Sequence, residues 1–563
     1  MKRSDGPLLV YGPRSASYDF GPSHPLTPRR FGPAIDLLAS VGAEPGLAPE
    51  PAPEGDLALC HAREYIAEVR RFSEDPLGPP AAGIGWGGDN PAFAGMHDAA
   101  AMVAGGSLRA IEAILRGDVE HAFHPGGGLH HAMRERASGF CIYNDPALAI
   151  ARARRDGLRV LYVDLDVHHG DGVEALFRDD PGVLTISFHE DGRYLFPGSG
   201  AAGDVGRGNA AGTIVNVPFE PHAGDAAWLP AVRSIVPPLA AAFGPDLVVS
   251  QHGADSHAWD PLAHLRVTTT AMGAAARILD AIAHRHARGR WLSTGGGGYD
   301  AYRVVPRSWS LVWLAGAHRD APGLTPAPWR DRWAQEAARH GQTPLPESFT
   351  DEPNVGERVD TRHQAADEAS ASVTAAVRET LVPGLLRAAE KRGWWSPDDA
   401  VPSEVAPGTG PGGAPVVIDL DAVTLDRLRL APRVIPPANP SSGRALVGRA
   451  LTSGAKGTAA VVDGVVVGLG IVADGELLGL GVAPAYRRAG LGGALLRRLA
   501  GDGELQATIT VAERDPVEPL GGSLRASIAR RLLERAGFEV RSEGGAIGRI
   551  DAAALVARLR TPR

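Results

Sequence analysis

The run Arg159–Gly172 (RVLYVDLDVHHGDG) constrains the fold more than any other part of the sequence. It begins with consecutive apolar residues, which is typical of a parallel strand buried on both faces. Side chains alternate along a strand, so Asp164, Asp166 and His168 are expected on the same side. Two carboxylates and an imidazole on one buried face need either a cation or dense hydrogen bonding. Because α/β sheets place their sites at the carboxyl ends of strands, we interpret the run as a metal site.

Further strands are predicted to end at the same edge. Two apolar segments run through glycine to Asp255 and Tyr299, and helical stretches such as Ala271–His286 separate the strands. Alternating strands and helices predict an α/β protein with a parallel sheet. Asp255 and Tyr299 are therefore expected at the same rim as His168.

A glycine loop precedes the adjacent histidines His130 and His131. Residues 126–128 could be mistaken for a phosphate-binding loop, but no GxGxxG pattern follows. A turn that brings both histidines into a cleft is the better interpretation, and a solvent-exposed pair is the alternative. Histidine is the usual proton-transfer group near neutral pH.

Composition restricts the function classes. The 563 residues are 44% hydrophobic and 22% charged, as in soluble globular proteins, and this length predicts roughly two to four domains. A net charge of −8 argues against a nucleic-acid partner. The two cysteines form no CxxC pair, which fits a reducing cytoplasm. We find neither a signal peptide nor a run that approaches a membrane span, so no membrane partner is expected.

The composition and the predicted secondary structure change toward the C-terminal part of the sequence. Residues 320–358 are Pro-rich and predicted to be irregular, and 364–392 are predicted as a helix with a Pro-Gly interruption. Residues 396–415 have the Pro- and Gly-rich composition of a linker. Short strands at 416–420, 457–462, 465–473 and 476–482 then indicate a meander. We therefore predict two domains, 1–395 and 416–563, joined by the linker.

The first domain resembles the zinc-dependent histone deacetylases, most closely the bacterial acetoin-utilization type. The motifs that carry this resemblance are PGGGLHHA from Pro125, SGFCIYND from Ser138, DLDVHHGDG from Asp164, GAD ending at Asp255 and GGGGY ending at Tyr299. The resemblance implies an arginase/deacetylase-like parallel sheet flanked by helices. It also implies hydrolysis of acetyl-lysine in proteins or peptides.

The resemblance also implies roles for individual residues. Asp166, His168 and Asp255 would bind Zn²⁺ and leave open positions, in agreement with the three protein ligands of catalytic zinc sites. His131 would be the general base and later the acid, with His130 as its electrostatic partner. Tyr299 would donate to the oxyanion. Asp171 would orient His131, and Asp164 would pair with His130.

A monovalent cation, K⁺, and an acetyl-lysine tunnel are implied in the same way. The cation would be held by the side chains of Asp164 and Ser187 and by main-chain oxygens of Asp166, His168 and Phe188. The tunnel walls would be Gly139, Phe140, Phe196 and Leu262. Asp89 would be the rim carboxylate that grips the substrate backbone.

The second domain resembles the GNAT acetyltransferases, a smaller α+β fold. The sequence RRAGLGG matches the loop that binds the pyrophosphate of acetyl-CoA, and amides at a glycine-rich helix N-terminus bind phosphate. A plain helix start is the alternative. Leu533 and Ala526 stand where the family often has tyrosine and asparagine, so acetyl-CoA binding is expected more firmly than transfer. The residues implied in binding are Arg487, Arg488, Ala489, Gly490, Leu491, Gly492 and Gly493.

Three alternative functions remain at this point. An arginase-like ureohydrolase would need two metals and extra bridging carboxylates, whereas this chain has the histidine pair and Tyr299. A deacetylase of small acetylated amines, such as polyamines, would retain the site but change the substrate. The tail could also be an acetyl-CoA sensor without catalytic activity.

Overall fold

The apolar runs form one eight-stranded parallel sheet in the first of two compact units, residues 1–388 and 389–563. The structure is a computed structural model that describes residues 6–352, 355, 361–391, 416–430, 447–448, 450–462, 465–473, 476–482, 491–500, 506–511, 538–543 and 553–559. The strands are β1 (Leu8–Val10), β2 (Pro45–Leu47), β3 (His121–His124), β4 (Val160–Asp164), β5 (Val183–Glu190), β6 (Ile214–Phe219), β7 (Leu247–Gln251) and β8 (Trp291–Thr294). Their order is β2-β1-β3-β8-β7-β4-β5-β6, which confirms the predicted parallel α/β sheet.

Strand β4, from the run that opened the sequence analysis, lies inside the sheet between β5 and β7. All five of its residues are buried, as expected for a strand covered on both faces. Its last residue, Asp164, lies opposite Ser187 of β5 and Gln251 of β7. The strand ends there, so Asp166 and His168 lie on the following turn. The strand is therefore shorter than predicted, but Asp164, Asp166 and His168 still face one site, as expected.

Helices cover the sheet. They are α1 (Phe31–Ser40), α2 (Glu54–Leu57), α3 (Arg63–Glu74), α4 (Met96–Arg116), α5 (Asp145–Arg155), α6 (Asp171–Phe177), α7 (Asp225–Phe243), α8 (Thr269–His286), α9 (Val305–Gly316), α10 (Ala327–Arg339) and α11 (Thr361–Lys391). Helix α8 begins two residues before the predicted Ala271 and ends at the predicted His286. Helix α11 continues through the Pro-Gly pair at 383–384, where an interruption was expected.

Two helices contain prolines that obscured them in the sequence. Helix α7 carries Pro230, Pro237 and Pro238 in its interior, where burial of its apolar side chains overrides the usual breaking effect. It is long and apolar enough to cross a membrane by length and composition, but 67% of that window is buried, as in a core helix. Helix α10 lies in the stretch predicted to be irregular, and that prediction was wrong. Its prolines fall at the helix start, where a missing N–H costs little.

The second unit contains a mainly antiparallel sheet. Its elements are β9 (Val416–Leu420), α12 (Ala422–Arg427), β10 (Arg429–Leu430), β11 (Lys456–Val462), β12 (Val465–Ala473), β13 (Glu476–Val482), α13 (Leu491–Ala500), β14 (Gln506–Val511), β15 (Phe538–Glu543) and β16 (Ala553–Leu559). The predicted meander is present as β9, β11, β12 and β13. Residues 487–490 of the predicted acetyl-CoA loop, and positions 526 and 533, lie outside the described residues.

A buried ion pair anchors the segment that follows α10 in the first unit. The Arg307 side chain is fully buried, and its Nη1 lies 2.6 Å from Oδ1 of Asp351, whose side chain is 4% exposed. The other Asp351 oxygen accepts bonds from Thr269 Oγ1 at 2.7 Å and His257 Nε2 at 2.9 Å. Burial opposes the charge of Asp351, but these donors and Arg307 hold its pKa well below its usual range.

We predict that Asp351→Asn lowers the free energy of unfolding by about 3 kcal/mol, because Arg307 is left buried without its counter-charge. The Asp351 pKa is depressed in the folded state, so its contribution is present above its unfolded pKa of about 3.9 and is lost as the pH falls below that value. The difference between the free energies of unfolding of wild type and Asp351→Asn, measured with urea, should therefore become smaller at acidic pH. Exposed Glu352→Gln is the control. Equal destabilisation by both variants would contradict this interpretation.

Candidate active site

Three buried side chains converge just beyond the ends of β4 and β7. The potential ligand atoms of Asp166, His168 and Asp255 lie within 4.8 Å of one another. His168 Nδ1 is 3.0 Å from Asp166 Oδ1 and 3.2 Å from Asp255 Oδ2. Both aspartates are at most 1% exposed. Two carboxylates and an imidazole in this arrangement form a donor set that suits Zn²⁺.

In both carboxylates, the oxygen that does not face His168 accepts hydrogen bonds from neighbouring groups. Asp166 Oδ2 accepts bonds from Gln251 Nε2 at 2.6 Å and from the Gly297 N–H at 2.8 Å. Asp255 Oδ1 accepts from the Val167 N–H at 3.0 Å. Each aspartate therefore keeps its other oxygen turned toward His168. Second partners of this kind fix the orientation of metal ligands.

The backbone of the glycine run reaches these carboxylates because it carries no side chain. A Cβ at Gly297 would lie 1.8 Å from Asp255 Oδ2 and 3.0 Å from Asp166 Oδ2. Only glycine fits such an approach. The run at residues 295–298 thus forms part of the wall around the three side chains.

The two adjacent histidines lie beside this cluster and form a chain of hydrogen bonds. His130 Nδ1 donates to Asp164 Oδ2 at 2.7 Å, and His131 Nδ1 donates to Asp171 Oδ1 at 2.7 Å. Their Nε2 atoms are 3.0 Å apart. Both rings are buried, so the alternative of an exposed loop pair is wrong.

Different surroundings give the two histidines different charges. Burial acts to lower the pKa of His130, but Asp164 and Asp166 outweigh it and raise the pKa to about 9. Burial and the charge of His130 lower the pKa of His131 to about 4, against the opposing effect of Asp171. Asp164 and Asp166 thus favour a protonated His130, whereas burial favours a neutral His131. A neutral imidazole next to a fixed cation is suited to accept a proton at Nε2.

Tyr299 lies at the end of the glycine run, next to the same pocket. Its N–H donates to Asp260 Oδ2 at 2.8 Å, and its carbonyl accepts from Gln342 at 3.0 Å. Burial and Asp255 raise the pKa of Tyr299 well above its usual value, so the phenol keeps its proton. The pocket encloses about 280 Å³ including its open mouth. Its lining is Leu26, Gly128, Leu129, His130, His131, Gly139, Phe140, Cys141, Asp166, His168, Gly296, Gly297 and Tyr299.

Two aromatic rings stand over the histidine cluster and Tyr299. The Phe196 ring lies 5.0 Å from that of His131, and the Phe140 ring lies 6.0 Å from that of Tyr299. Gly139 has φ +53°, and a Cβ there would lie 2.4 Å from His131 Cδ2. A side chain at position 139 would therefore displace His131.

The other predicted substrate residues occupy two different loops. Asp89 is exposed near the mouth, where its Oδ2 accepts from the Gly139 N–H at 2.7 Å. Leu262 follows Asp260, to which its N–H donates at 3.0 Å, and it is not one of the pocket-lining residues. Leu26, which the sequence did not single out, lines the pocket instead.

The predicted cation-binding side chains are adjacent behind the cluster. Asp164 and Ser187 lie opposite each other on β4 and β5, and both are buried. Asp164 Oδ2 also accepts from Tyr162 at 2.6 Å, while Ser187 Oγ is 2.9 Å from His189 Nδ1.

Sequence reasoning missed several supporting residues. Gln251 and Asp260 orient site residues, and Asp145 accepts from the N–H groups of Gly128 and Leu129 at 2.8–3.1 Å. Buried Arg30 donates from Nη1 to Gly296 O at 2.7 Å. Gln251 ends an apolar strand and Asp145 ends a quoted motif, so both carried a signal. Arg30 carried none, because its partner lies far along the chain.

Comparisons with known proteins show which family and which fold the chain is similar to. The sequence pattern of a family described as "Histone deacetylase domain" matches residues 24–315. An acetoin utilization protein AcuC from Bacillus subtilis is 40% identical over 351 residues, which are 61% of this chain and 89% of that protein. The Staphylococcus xylosus AcuC is 36% identical over 62% of this chain and 92% of its own length.

Solved structures show the same fold. The crystal structure of a histone deacetylase homolog from Aquifex aeolicus has a TM-score of 0.56 and 26% identity. The match covers 64% of this chain and 99% of that chain. A histone deacetylase homolog complexed with SAHA has a TM-score of 0.55 and 26% identity, covering 65% of this chain and 100% of its own.

Proposed function

This chain belongs to the histone deacetylase family and is a deacetylase, and on that premise we propose that its domain at residues 1–395 is a cytoplasmic, zinc-dependent hydrolase of acetyl-lysine in proteins or peptides. The observation that carries the proposal is the hydrogen-bonded pair His130 and His131 beside a buried Asp-His-Asp cluster. The reaction adds water across the amide, breaks its C–N bond and releases acetate and the free amine.

Asp166, His168 and Asp255 would hold the zinc ion. Their three facing ligand atoms leave room for water and a substrate carbonyl, as catalytic zinc sites require. Bound there, zinc would polarise the carbonyl and lower the pKa of water. Gln251 and Gly297 keep the ligands in place, because they engage the Asp166 oxygen that faces away from His168.

His131 would act as the general base and then as the acid. Asp171 fixes its Nδ1–H, so Nε2 is the atom that takes a proton from water and returns it to the leaving amine. Charged His130 keeps the His131 pKa low and adds a positive charge near the developing oxyanion. Asp164 holds His130 in that protonated state. Protonated Tyr299 would donate to the oxyanion, an interaction typically worth about 3–4 kcal/mol.

We propose further that K⁺ binds between β4 and β5. Asp164 and Ser187 offer buried oxygens, and the carbonyls of Asp166, His168 and Phe188 would complete the shell. Oxygen ligands of this kind suit a hard cation. The cation would stabilise the loop that carries two zinc ligands.

The pocket favours a neutral substrate. Phe140, Phe196 and Gly139 would enclose the acetylated side chain, and an apolar wall disfavours the ammonium product. Exposed Asp89 would bind substrate backbone N–H groups, which favours a peptide over a small acetylated amine. Leu262 remains a proposed wall residue. The small-amine alternative predicts faster turnover of acetylated polyamines than of peptides.

We propose that residues 416–563 form a GNAT-like, acetyl-CoA-binding domain, joined through the linker 396–415. Strand β13 leads toward α13, and β14 returns parallel to β13. Leu499 of α13 packs against β12, since its Cδ1 is 2.6 Å from the Cβ position at Gly470. Helix α13 begins at Leu491, inside the RRAGLGG sequence, so Gly492 and Gly493 fall in its first turn. A sensor without transfer activity is the alternative.

Zinc content and hydrolysis of an acetyl-lysine peptide test the proposed function in the full chain. Asp255→Ala should lose zinc from the cluster and all measurable hydrolysis, because one of the three ligands is gone. Exposed Asp118→Asn is the matched carboxylate control and should keep both. Full zinc content and full rate in Asp255→Ala would refute the ligand assignment.

The two histidines should differ in kinetic effect. His131→Ala is expected to lower kcat by roughly 10²–10⁴-fold, the usual contribution of an acid–base group, while zinc stays bound. His130→Ala should lower kcat less, because it acts through charge rather than proton transfer. The measurement is kcat with zinc content determined on the same samples. A larger loss of kcat in His130→Ala than in His131→Ala would mean that His130 transfers the proton and His131 acts through its charge.

Acetyl-CoA binding should depend on the glycines of RRAGLGG. Replacing Gly490 and Gly492 with leucine should abolish the heat of acetyl-CoA binding in calorimetry of the full chain, because side chains block phosphate from the backbone amides. Asp255→Ala lies in the other unit and should bind as wild type does. If the double substitution leaves the heat of acetyl-CoA binding unchanged, this loop is not the acetyl-CoA site. Thiol release with an amine acceptor separates a transferase from a sensor.

A further inference from the structure

A second group of potential metal ligands lies at the opposite edge of the parallel sheet. His121 is the first residue of β3 and pairs with Trp291, the first residue of β8. Asp280 and His284 lie near the end of α8, and His318 follows α9. The candidate active site lies beyond the other ends of the strands. The two groups therefore share no residue.

Four potential ligand atoms of this second group lie within 4.8 Å of one another. His284 Nε2 is 3.0 Å from His121 Nε2 and 2.9 Å from His318 Nε2. Asp280 Oδ1 lies 3.2 Å from His318, 3.3 Å from His121 and 3.4 Å from His284, measured to the same Nε2 atoms. One carboxylate oxygen is thus close to three imidazole nitrogens.

Hydrogen bonds alone do not account for this packing. Three Nε2 atoms carry at most three protons, and each proton makes one well-aligned hydrogen bond. Five contacts of 3.4 Å or less connect the four atoms, so at least two contacts have no proton of their own. A cation between the four atoms would remove this shortage of protons, because each Nε2 and the Asp280 oxygen would direct a lone pair at the ion.

The distances fit tetrahedral zinc. Zn–N bonds of about 2.0–2.1 Å place tetrahedral ligand atoms about 3.3–3.4 Å apart. The contacts in the group, 2.9–3.4 Å, need little expansion to reach these values. Asp280 and His284 are four residues apart, so helix α8 presents both on one face.

The surroundings also favour a cation. The group lies at the C-terminal end of α8, where the helix dipole attracts positive charge. His121 and Asp280 are mostly buried, with side chains 6% and 14% exposed, whereas those of His284 and His318 are 38% and 54% exposed. The site therefore has two fixed inner ligands and an open side through which an ion can enter.

We propose that His121, Asp280, His284 and His318 bind a second divalent transition-metal ion, of which zinc fits best. With four protein ligands the site has no vacant position for substrate, so its role is structural. The ion would join the start of β3, the end of α8 and the turn after α9. Imidazole ligands select zinc-like ions over Mg²⁺ or Ca²⁺, which prefer oxygen.

Zinc stoichiometry of the full chain, after metal removal and reloading, tests the proposal. Wild type should hold about two zinc ions per chain, and His284→Ala/His318→Ala should hold about one while retaining deacetylase activity. Zinc at about 100 times its dissociation constant for the second site should raise the melting temperature by about 3 °C in Asp255→Ala. That rise should vanish when the two histidine substitutions are added. Residues 364–563 contain no histidine or cysteine, so the tail offers no such ligands for an extra ion.

Controls separate this site from the catalytic one. His286→Ala changes a histidine of the same helical turn outside the group and should keep about two zinc ions. Asp255→Ala should lose the catalytic ion and activity but keep the second ion. Asp280→Asn, which retains the shape, checks the result if the double variant unfolds. Wild-type zinc content in both the double variant and Asp280→Asn, or a single zinc in reloaded wild type, would overturn the proposal.

Discussion

Charge compensation in a water-poor interior is the constraint on which the active-site edge depends. Asp164, Asp166 and Asp255 are each at most 1% exposed, and they lie at the ends of the neighbouring strands β4 and β7. Burial of even one unpaired carboxylate costs many kcal/mol. His130 and His168 supply imidazole partners, and Arg30 lies buried nearby with its Nη1 bonded to Gly296. The proposed catalytic residues are therefore also each other's counter-charges, and removing one alters the protonation of the rest.

Glycine follows several strands here because only backbone without a side chain fits so close to the site carboxylates. A Cβ at Gly253 would lie 2.1 Å from Asp166 Oδ2, and one at Gly297 would lie 1.8 Å from Asp255 Oδ2. Side chains provide charge in this site, and glycine backbone provides directed N–H groups at short range. The acidic motif and the glycine runs are thus two halves of one arrangement.

The sequence predicts those parts of the molecule that depend on local pattern. The apolar run before Asp164 predicted a central strand, and the polar residues after it predicted a shared edge. Local pattern does not report partners brought together by folding, so Arg30 and Asp260 went unnoticed. Proline caused the opposite error in α10, because its position in the first turn matters more than its presence. The sequence also predicted too long a strand, since β4 ends at Asp164 and the residues after it follow no strand alternation.

The two edges of the sheet differ in a way that ligand number explains. At the carboxyl edge, Asp166, His168 and Asp255 provide three donors, and a pocket lies above them. At the amino edge, His121 and its three partners provide four donors around one point. A three-ligand set leaves a metal able to bind water and substrate, whereas a four-ligand set closes it. The same ion would therefore serve chemistry at one edge and cohesion at the other. Because β3 begins at His121 and its continuation carries His130, an ion at the amino edge would also stabilise the strand that positions the proposed catalytic pair.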